Sequence, residues 1–352
     1  MLGHLVRSNS HLSPCDKPVS EIGEFSLIER IKKILPTASS SDLILGIGDD
    51  AAVIRIDEGR ALVATCDILV EDVHFRLANI NAYQLGRRAI AVNQSDIASM
   101  GGRPTFALVS LALPQNLPVD HFDELFRGMG DQMREFSGHI IGGNIARSKE
   151  GLMVDVFMLG EVDPRIMLTR SGARPDDRIM VTGRPGASGA GLMILEKYGS
   201  DYPRKFKALV NAHLQPKPRV ETGQIIAATG IATAMIDVSD GLAADLNHIC
   251  EASGEGAELD LACLPLPGNL AEVAALAGRK NWEMALFGGE DYELLFTVKP
   301  ETTPEEIDRI SNRSNTPITE IGRITGETGV MLGINSTGER MEIKPKGWDH
   351  FG

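Results

Sequence analysis

The sequence predicts an α+β fold built as two α/β halves, and three observations predict it. Short apolar runs alternate irregularly with stretches of helical period, unlike the regular series of a parallel βαβ sheet. No low-complexity tract and no repeat of solenoid period occurs. At 352 residues, with 43% apolar and 24% charged residues, the chain is long enough for two domains with cores of their own.

In chain order, Glu21 to Leu35 is the first helix: Phe25, Leu27, Ile28, Ile31, Ile34 and Leu35 recur near helical spacing, and Pro36 ends it. The apolar run Leu43 to Leu45 enters Gly46-Ile47-Gly48-Asp49-Asp50, a glycine-punctuated turn with adjacent carboxylates. Two carboxylates about 4 Å apart repel by about 4 kcal/mol at an effective dielectric of about 20, so a nearby cation is expected. The plain alternative is a polar turn. Ala61 to Thr65 is a short strand running into Cys66-Asp67 and on to His74-Phe75.

Tyr83 to Met100 is a helix with Leu85, Ala89, Val92, Ile97 and Met100 on one face. It contains Asn93-Gln94-Ser95-Asp96 and stops at Gly101-Gly102-Arg103-Pro104. Phe106 to Leu113 is a buried strand, His121 to Phe136 an amphipathic helix, His139 to Ile141 a strand ending at Gly142-Gly143-Asn144, and Met153 to Gly160 a further strand. Glu161 to Pro175 is the passage between the halves.

In the second half Ile179 to Thr182 is a strand. A glycine-rich stretch, Gly183 to Gly191, precedes a helix over Leu192 to Lys197, and glycine before a helix can cradle an anion. No GxxxxGK[ST] phosphate loop exists, which excludes a P-loop kinase. Pro216 to Ala228 is helical. Ala232 to Ile236 enters Asp237-Val238-Ser239-Asp240-Gly241, followed by a helix with Leu242, Leu246, Ile249 and Cys250 on one face. Leu264 to Pro267 is a linker, Ala285 to Val298 holds Gly288-Gly289-Glu290-Asp291-Tyr292, and Thr303-Pro304 is an N-cap with proline at the first helical position. Ile318 to Ile324 and Gly329 to Ile334 are short strands.

The formal net charge of −13 argues against a nucleic-acid backbone as partner. It tolerates small phosphorylated substrates if divalent cations bridge carboxylate to phosphate, a role that suits Mg²⁺. The four cysteines (Cys15, Cys66, Cys250, Cys263) show no paired spacing, against zinc and against a disulfide framework. No apolar run is long enough for a membrane span. Residues 1–20 lack the apolar block of a signal peptide and read as a flexible leader on a cytoplasmic protein.

Asp50, Asp67, Asp96, Asp237 and Asp240 each lie in or beside a turn bearing glycine or serine, next to an apolar segment. One such turn means little. Five, without cysteine–histidine spacing, point to a shared oxygen-ligand cation site for Mg²⁺, Mn²⁺ or Ca²⁺. Each residue has a plainer reading. Asp237 could end a strand, Ser239 or Asp240 could cap the next helix, Asp96 could be a solvated helix residue, and Thr65 could simply favour a strand. His74 is as much a core or edge histidine as a substrate contact. Arg170 is a surface residue or a phosphate clamp. Glu290 or Asp291 could cap a local turn, and Trp348 could close the core or stack on a planar ligand.

The chain resembles the thiamine-monophosphate kinases, of the superfamily that includes aminoimidazole ribonucleotide synthetase. The resemblance runs from about Gly23 to Phe351. It rests on Gly23-Glu24-Phe25, Gly46 to Asp50, Thr65 to Phe75, Asn93 to Gly101, Gly142-Gly143-Asn144, Leu168 to Ala173, Ile236 to Leu242, Phe287 to Phe296 and Lys346-Gly347-Trp348. It implies two α/β domains of the aminoimidazole ribonucleotide synthetase-like type, over residues 21–162 and 163–352, with N-terminal strands at a homodimer interface. Asp50, Thr65, Asp67, Asp96, Asp237 and Asp240 would hold several Mg²⁺ ions, with Asn144 standing at a further cation position. Gly143, Asn144, Arg170 and Ser239 would contact ATP, and His74, Glu290 and Trp348 the thiamine monophosphate. No protein side chain need act as general base. Two departures matter: Cys66 replaces a hydroxyl residue, and Asn144 replaces an aspartate found in many members. The implied activity is conversion of thiamine monophosphate to thiamine diphosphate; the alternative is a related ATP-dependent synthetase acting on another phosphorylated compound.

Overall fold

A computed structural model of the chain describes residues 24–35, 40–345 and 347. The expected leader, the Pro36 stop, Cys15 and Trp348 lie outside the described residues.

The N-terminal sheet has six strands: β1 (Leu43–Leu45), β2 (Ala52–Asp57), β3 (Arg60–Val70), β4 (Arg103–Pro114), β5 (His139–Ser148) and β6 (Met153–Val162). Their order is β1-β2-β3-β6-β4-β5, antiparallel except for the β4–β5 pair. The second sheet has seven: β7 (Arg178–Thr182), β8 (Ala232–Asp237), β9 (Gly256–Asp260), β10 (Leu294–Val298), β11 (Ile318–Thr325), β12 (Met331–Ile334) and β13 (Arg340–Glu342), in the order β13-β12-β9-β11-β7-β10-β8. Two sheets with helices over them are the α+β architecture that the mixed patterning predicts.

The helices are α1 (Glu24–Ile34), α2 (Ala82–Ser99), α3 (Val119–Glu135), α4 (Ala187–Tyr198), α5 (Lys207–Leu214), α6 (Val220–Thr229), α7 (Leu242–Ser253), α8 (Leu270–Leu276), α9 (Asn281–Phe287) and α10 (Pro304–Ser314). Several bounds differ from the sequence reading. β3 continues past Thr65 to Val70, so Thr65 and Asp67 lie inside a strand that pairs with β6 along its length. β5 does not stop at Gly142 but runs to Ser148, because pairing with β4 overrides the weak strand preference of glycine. β2 was not expected; only Val53 of it is fully buried, and Arg55 and Asp57 interrupt the apolar run, so pairing with β3 makes it a strand. α4 begins at Ala187, inside the glycine-rich stretch.

α2 joins the two halves. It packs on α3 and on β3 and β6, and it also touches β8 and α6 of the second half. Its start is fixed by a capping box, in which Asn81 accepts from the Gln84 amide at 2.8 Å and Gln84 accepts from the Asn81 amide at 3.2 Å. Most of its length is buried, polar positions included: Arg88, Asn93, Gln94, Ser95 and Ser99 are all buried. A helix buried all round and carrying polar side chains must satisfy them internally.

α2 and α3 approach closely through two glycines. A Cβ on Gly86 would lie 2.0 Å from the Leu125 carbonyl oxygen, and one on Gly128 would lie 2.0 Å from that of Tyr83. Gly86→Ala or Gly128→Ala is expected to lower stability by about 2 kcal/mol or more. The clash of a small-to-large change here exceeds the ~1 kcal/mol that alanine gains over glycine in a helix. A thermal melt equal to or above that of wild type would contradict the close packing.

Candidate active site

The acidic turn, the middle of β3, one face of α2 and the end of β8 converge. Thr65 and Asp67 lie on the face of β3 that meets α2. Thr65 Oγ1 donates to Asp96 Oδ2 at 2.6 Å, and the Asp67 amide donates to Asn93 Oδ1 at 3.2 Å. On α2, Ser95 donates to Asp237 Oδ2 at 2.6 Å, and Ser99, one turn on, donates to Asp50 Oδ2 at 2.5 Å. Asp237, at the end of β8, is 2% exposed, and the Asp50 side chain is 1% exposed. Carboxylates more than 140 residues apart in the chain thus share one water-poor space.

The electrostatics follow from that crowding. Burial, then the charges of Asp67, Asp237 and Asp50, push the Asp96 carboxyl well above its usual range, against the Thr65 hydrogen bond. Burial and then Asp50 push Asp237 up to about 8, opposed by Ser95 and Arg170. Asp49 rises to about 6 through burial and the adjacent Asp50. One side chain balances this: Arg170 donates from Nε to Asp50 Oδ1 at 2.7 Å and from Nη2 to the same oxygen. Its amide also donates to Asp49 Oδ2 at 3.2 Å. Burial works against the guanidinium charge, but Asp50 beside it holds the pKa above the usual arginine range. Arg170 is thus not a plain surface residue: its fork is closed on Asp50.

Beside this cluster, Asp240, Asp245 and His248 offer ligand atoms within 4.8 Å of one another. Here the structure corrects the capping expectation. α7 has Gly241 at its N-cap, with no side-chain cap. Asp245, inside the helix, reaches back instead and accepts from the Ser239 amide at 3.1 Å and the Gly241 amide at 3.0 Å. Neither Ser239 nor Asp240 caps α7. Gly347 lies against the same turn, where a Cβ would meet the Ala244 Cβ at 2.5 Å and the Asp240 Cβ at 3.2 Å.

The glycine-rich stretch before α4 holds an acidic side chain, and that side chain belongs to the protein. Asp291 accepts from the Gly186 amide at 2.6 Å and the Ser188 amide at 2.9 Å. Burial pushes its carboxyl up to about 8 against these bonds. Asp291 therefore caps a helix a hundred residues away and not a local turn. Asp291→Ala is expected to cost about 1–3 kcal/mol through two orphaned buried amides, with the melting temperature as readout. An unchanged melt would show that water replaces the carboxylate.

His74 accepts from the Val70 amide at 3.0 Å through Nδ1, which leaves the proton of its neutral form on Nε2. Glu290 pairs with Arg88, a residue to which the sequence reading gave no role. Gly143 and Asn144 are not brought to the cluster within one chain. Asp67, Val156, Val109 and Gly143 form one cross-strand row, and Ile68, Asp155, Ser110 and Asn144 the next. Asn144 thus lies on the opposite sheet face from Asp67 and three strands, about 14 Å, away. Gly143 has a structural reason of its own: at φ +154 a Cβ would stand 1.8 Å from the Val109 carbonyl oxygen. Cys66 shares that far face and donates to Asp155 Oδ1 at 3.2 Å, and burial first, then Asp155, pushes its thiol up to about 12. Its side chain points away from the carboxylates.

Ser95 and Ser99 were missed, yet their signal is in the sequence: polar residues at helical spacing on a face that should be apolar. Arg88 and Asp245 carried none.

Two mixed sheets with a buried aspartate cluster where the halves meet define a protein of the AIR synthase related class. Residues 48–162 match the AIR synthase related protein N-terminal domain and residues 174–335 the C-terminal domain. The chain belongs to the thiamine-monophosphate kinase family. It is 36% identical over 331 residues to the thiamine-monophosphate kinase of Bacillus subtilis (strain 168), covering 93% of this chain and 99% of that one. It is 38% identical over 338 residues to that of Escherichia coli (strain K12), covering 94% and 98%. A solved structure of AaThiL complexed with AMPPCP and TMP is 36% identical, covers 95% of this chain and 99% of that chain, and superposes with a TM-score of 0.81.

Proposed function

We propose that the chain transfers the γ-phosphoryl of ATP onto the phosphate of thiamine monophosphate, giving thiamine diphosphate and ADP. The observation that carries this is the convergence of Asp50, Asp67, Asp96 and Asp237 with the Thr65 hydroxyl, and with Arg170 closed on Asp50. Repelling buried carboxylates with hard oxygen donors fit Mg²⁺. Asp50, Thr65, Asp67, Asp96, Asp237 and Asp240 would hold several such ions. Bound Mg²⁺ supplies charge neutralisation between the two phosphorylated substrates.

The nucleophile is a phosphate oxygen that is already ionised, so no general base is needed and positioning does most of the work. Arg170 stands ready to exchange Asp50 for an ATP phosphate once cations take over the Asp50 charge. Ser239, on the turn before α7, lies near Asp240 at that end. Glu290 and His74 frame the thiamine side, and Trp348 follows from Gly347, which rests on the Asp240 turn. Purified protein with ATP, Mg²⁺ and thiamine monophosphate should yield thiamine diphosphate and stoichiometric ADP. ADP release that does not depend on thiamine monophosphate would reject the assignment.

We read the chain as a homodimer in the cytoplasm with its domain boundary near residue 162 and a leader over residues 1–20. No described helix is long and apolar enough to cross a membrane. The face of the N-terminal sheet away from α2 exposes Ile54, Ile56, Ile68, Phe106, Leu108 and Phe157 in adjacent rows. An apolar patch this continuous calls for a partner, and a second copy offers the same patch. Roles for Gly143 and Asn144 toward ATP and a cation then require that second copy. Leu108→Asp with Phe157→Asp should convert a dimer to a monomer in sedimentation velocity; a dimer that persists would place the interface elsewhere.

A further inference from the structure

Glu290 is a substrate contact by family resemblance, but its carboxylate is already engaged from behind. Arg88 Nη2 donates to Glu290 Oε1, and His213 Nδ1 stands 3.4 Å from Glu290 Oε2. Arg88 is 1% exposed, whereas the Glu290 side chain is 28% exposed. The pair therefore runs from the core outward to the site. Arg88 Nη1 also lies 3.3 Å from His213 Nε2, and Ser188 Oγ lies 3.1 Å from His213 Nδ1. Burial, then the Arg88 charge, lowers the His213 pKa to about 4, so the imidazole is neutral and Arg88 is the one cation of the group. Arg88 Nε has no partner among the described residues. A guanidinium buried at that cost depends on its carboxylate.

The loop carrying Glu290 needs such a hold. Glu290 at φ 64 and Tyr292 at φ 52 are both left-handed without being glycine. Residues in such conformations persist only where their surroundings fix them. Each anchor of this loop is visible: the Glu290 amide to the Ser239 carbonyl at 2.6 Å, the Tyr292 amide to the Val238 carbonyl at 2.8 Å, Asp291 on the start of α4, and Arg88 on the Glu290 side chain. Only the last fixes where the Glu290 carboxylate points.

We propose that Arg88 is a positioning residue for the thiamine-monophosphate subsite: it holds the Glu290 carboxylate at the site wall and offsets its charge, with neutral His213 as the wedge behind. The proposal rests on the kinase reading above. It also changes how Glu290 acts, since a carboxylate already paired meets a cationic ring as a shaped, partly neutralised acceptor and not as a free counter-ion.

The test is steady-state kinetics on wild type, Arg88→Met, Glu290→Gln and the double variant, each checked by thermal melt. Arg88→Met should raise KM for thiamine monophosphate by about tenfold or more while KM for ATP stays within about twofold, the pattern of a lost substrate-side interaction. In the Glu290→Gln background it should add almost nothing, because the two act as one unit. Arg88→Lys, which keeps the charge but not the fork, should recover part of the loss. If Arg88→Met does not fold, Arg88→Lys alone and with Glu290→Gln carries the same comparison. Effects that multiply in full, or equal rises in both KM values, would overturn the positioning role. Wild type without thiamine diphosphate formation would remove the kinase reading itself, whereas an active wild type with Arg88→Met unchanged removes only the role of Arg88.

Discussion

Replacing Asp237 with asparagine is expected to abolish turnover, by about 10³-fold or more, while making the metal-free protein more stable. The two effects share one cause. Asp237 is 2% exposed and feels the charges of Asp50 and Asp67, so in the absence of cations its ionised form is resisted by its surroundings. Asparagine keeps an oxygen to accept from Ser95 and removes the ionisable group, so folding no longer requires uptake of a proton that the unfolded chain has released, a gain of about 1–4 kcal/mol near neutral pH. The same charge is needed once Mg²⁺ and two phosphorylated substrates enter, and its loss weakens the electrostatic clamp on which phosphoryl transfer depends. Activity assays and melts in EDTA, then in Mg²⁺, should show the ranking invert: the variant above wild type without metal, and with less gain on adding it. A variant that is both active and unshifted would remove Asp237 from the cation site. Asp50→Ala should be equally inactive, and it additionally frees Arg170.

The second large effect is the pH dependence of the metal-free protein. Asp96 and Asp237 have raised folded-state pKa values, the latter about 8, against an unfolded value near 3.8. Below about pH 4 both states hold the proton and neither group affects stability. As pH rises from about 4 to about 8 the unfolded chain has released protons that the folded chain still binds, so stability falls, by up to about 1.4 kcal/mol per pH unit for each such group. Above about 8 the Asp237 contribution levels off. Melting temperature measured in EDTA should therefore decline across this window, and saturating Mg²⁺ should flatten the decline, because the bound cation favours the ionised carboxylates. Asp237→Asn should lose its share of the slope. A metal-free melt that rises steadily from pH 4 to 8 would contradict the buried repulsion.

How much of this was legible beforehand differs residue by residue. The acidic turn at Asp50 and the Asp237 turn both announce themselves by glycine beside carboxylate at the end of an apolar run, and recurrence points to the convergence that the fold shows. Asp96 was harder, since a helical aspartate is normally solvated; only the packing of α2 between β3 and β8 turns it toward the other carboxylates. Arg170 was read as a surface residue or a clamp for phosphate, and the fold shows what neither reading contained, its pairing with Asp50. Asp291 looked like a local turn residue and caps a distant helix. Arg88 and His213 gave no signal, because nothing in a single chain of letters says which of two adjacent arginines turns into the core.

The sequence by itself determined the α+β class, the order of most elements and the family. These depend on periodicity and on side-chain types within short windows, which local physics fixes. Which carboxylates repel one another, which basic side chain answers each, and which sheet face Asn144 occupies were decided only in three dimensions. Charge interactions and strand register depend on distances between residues a hundred or more positions apart, and those distances exist only once the two sheets have closed on α2.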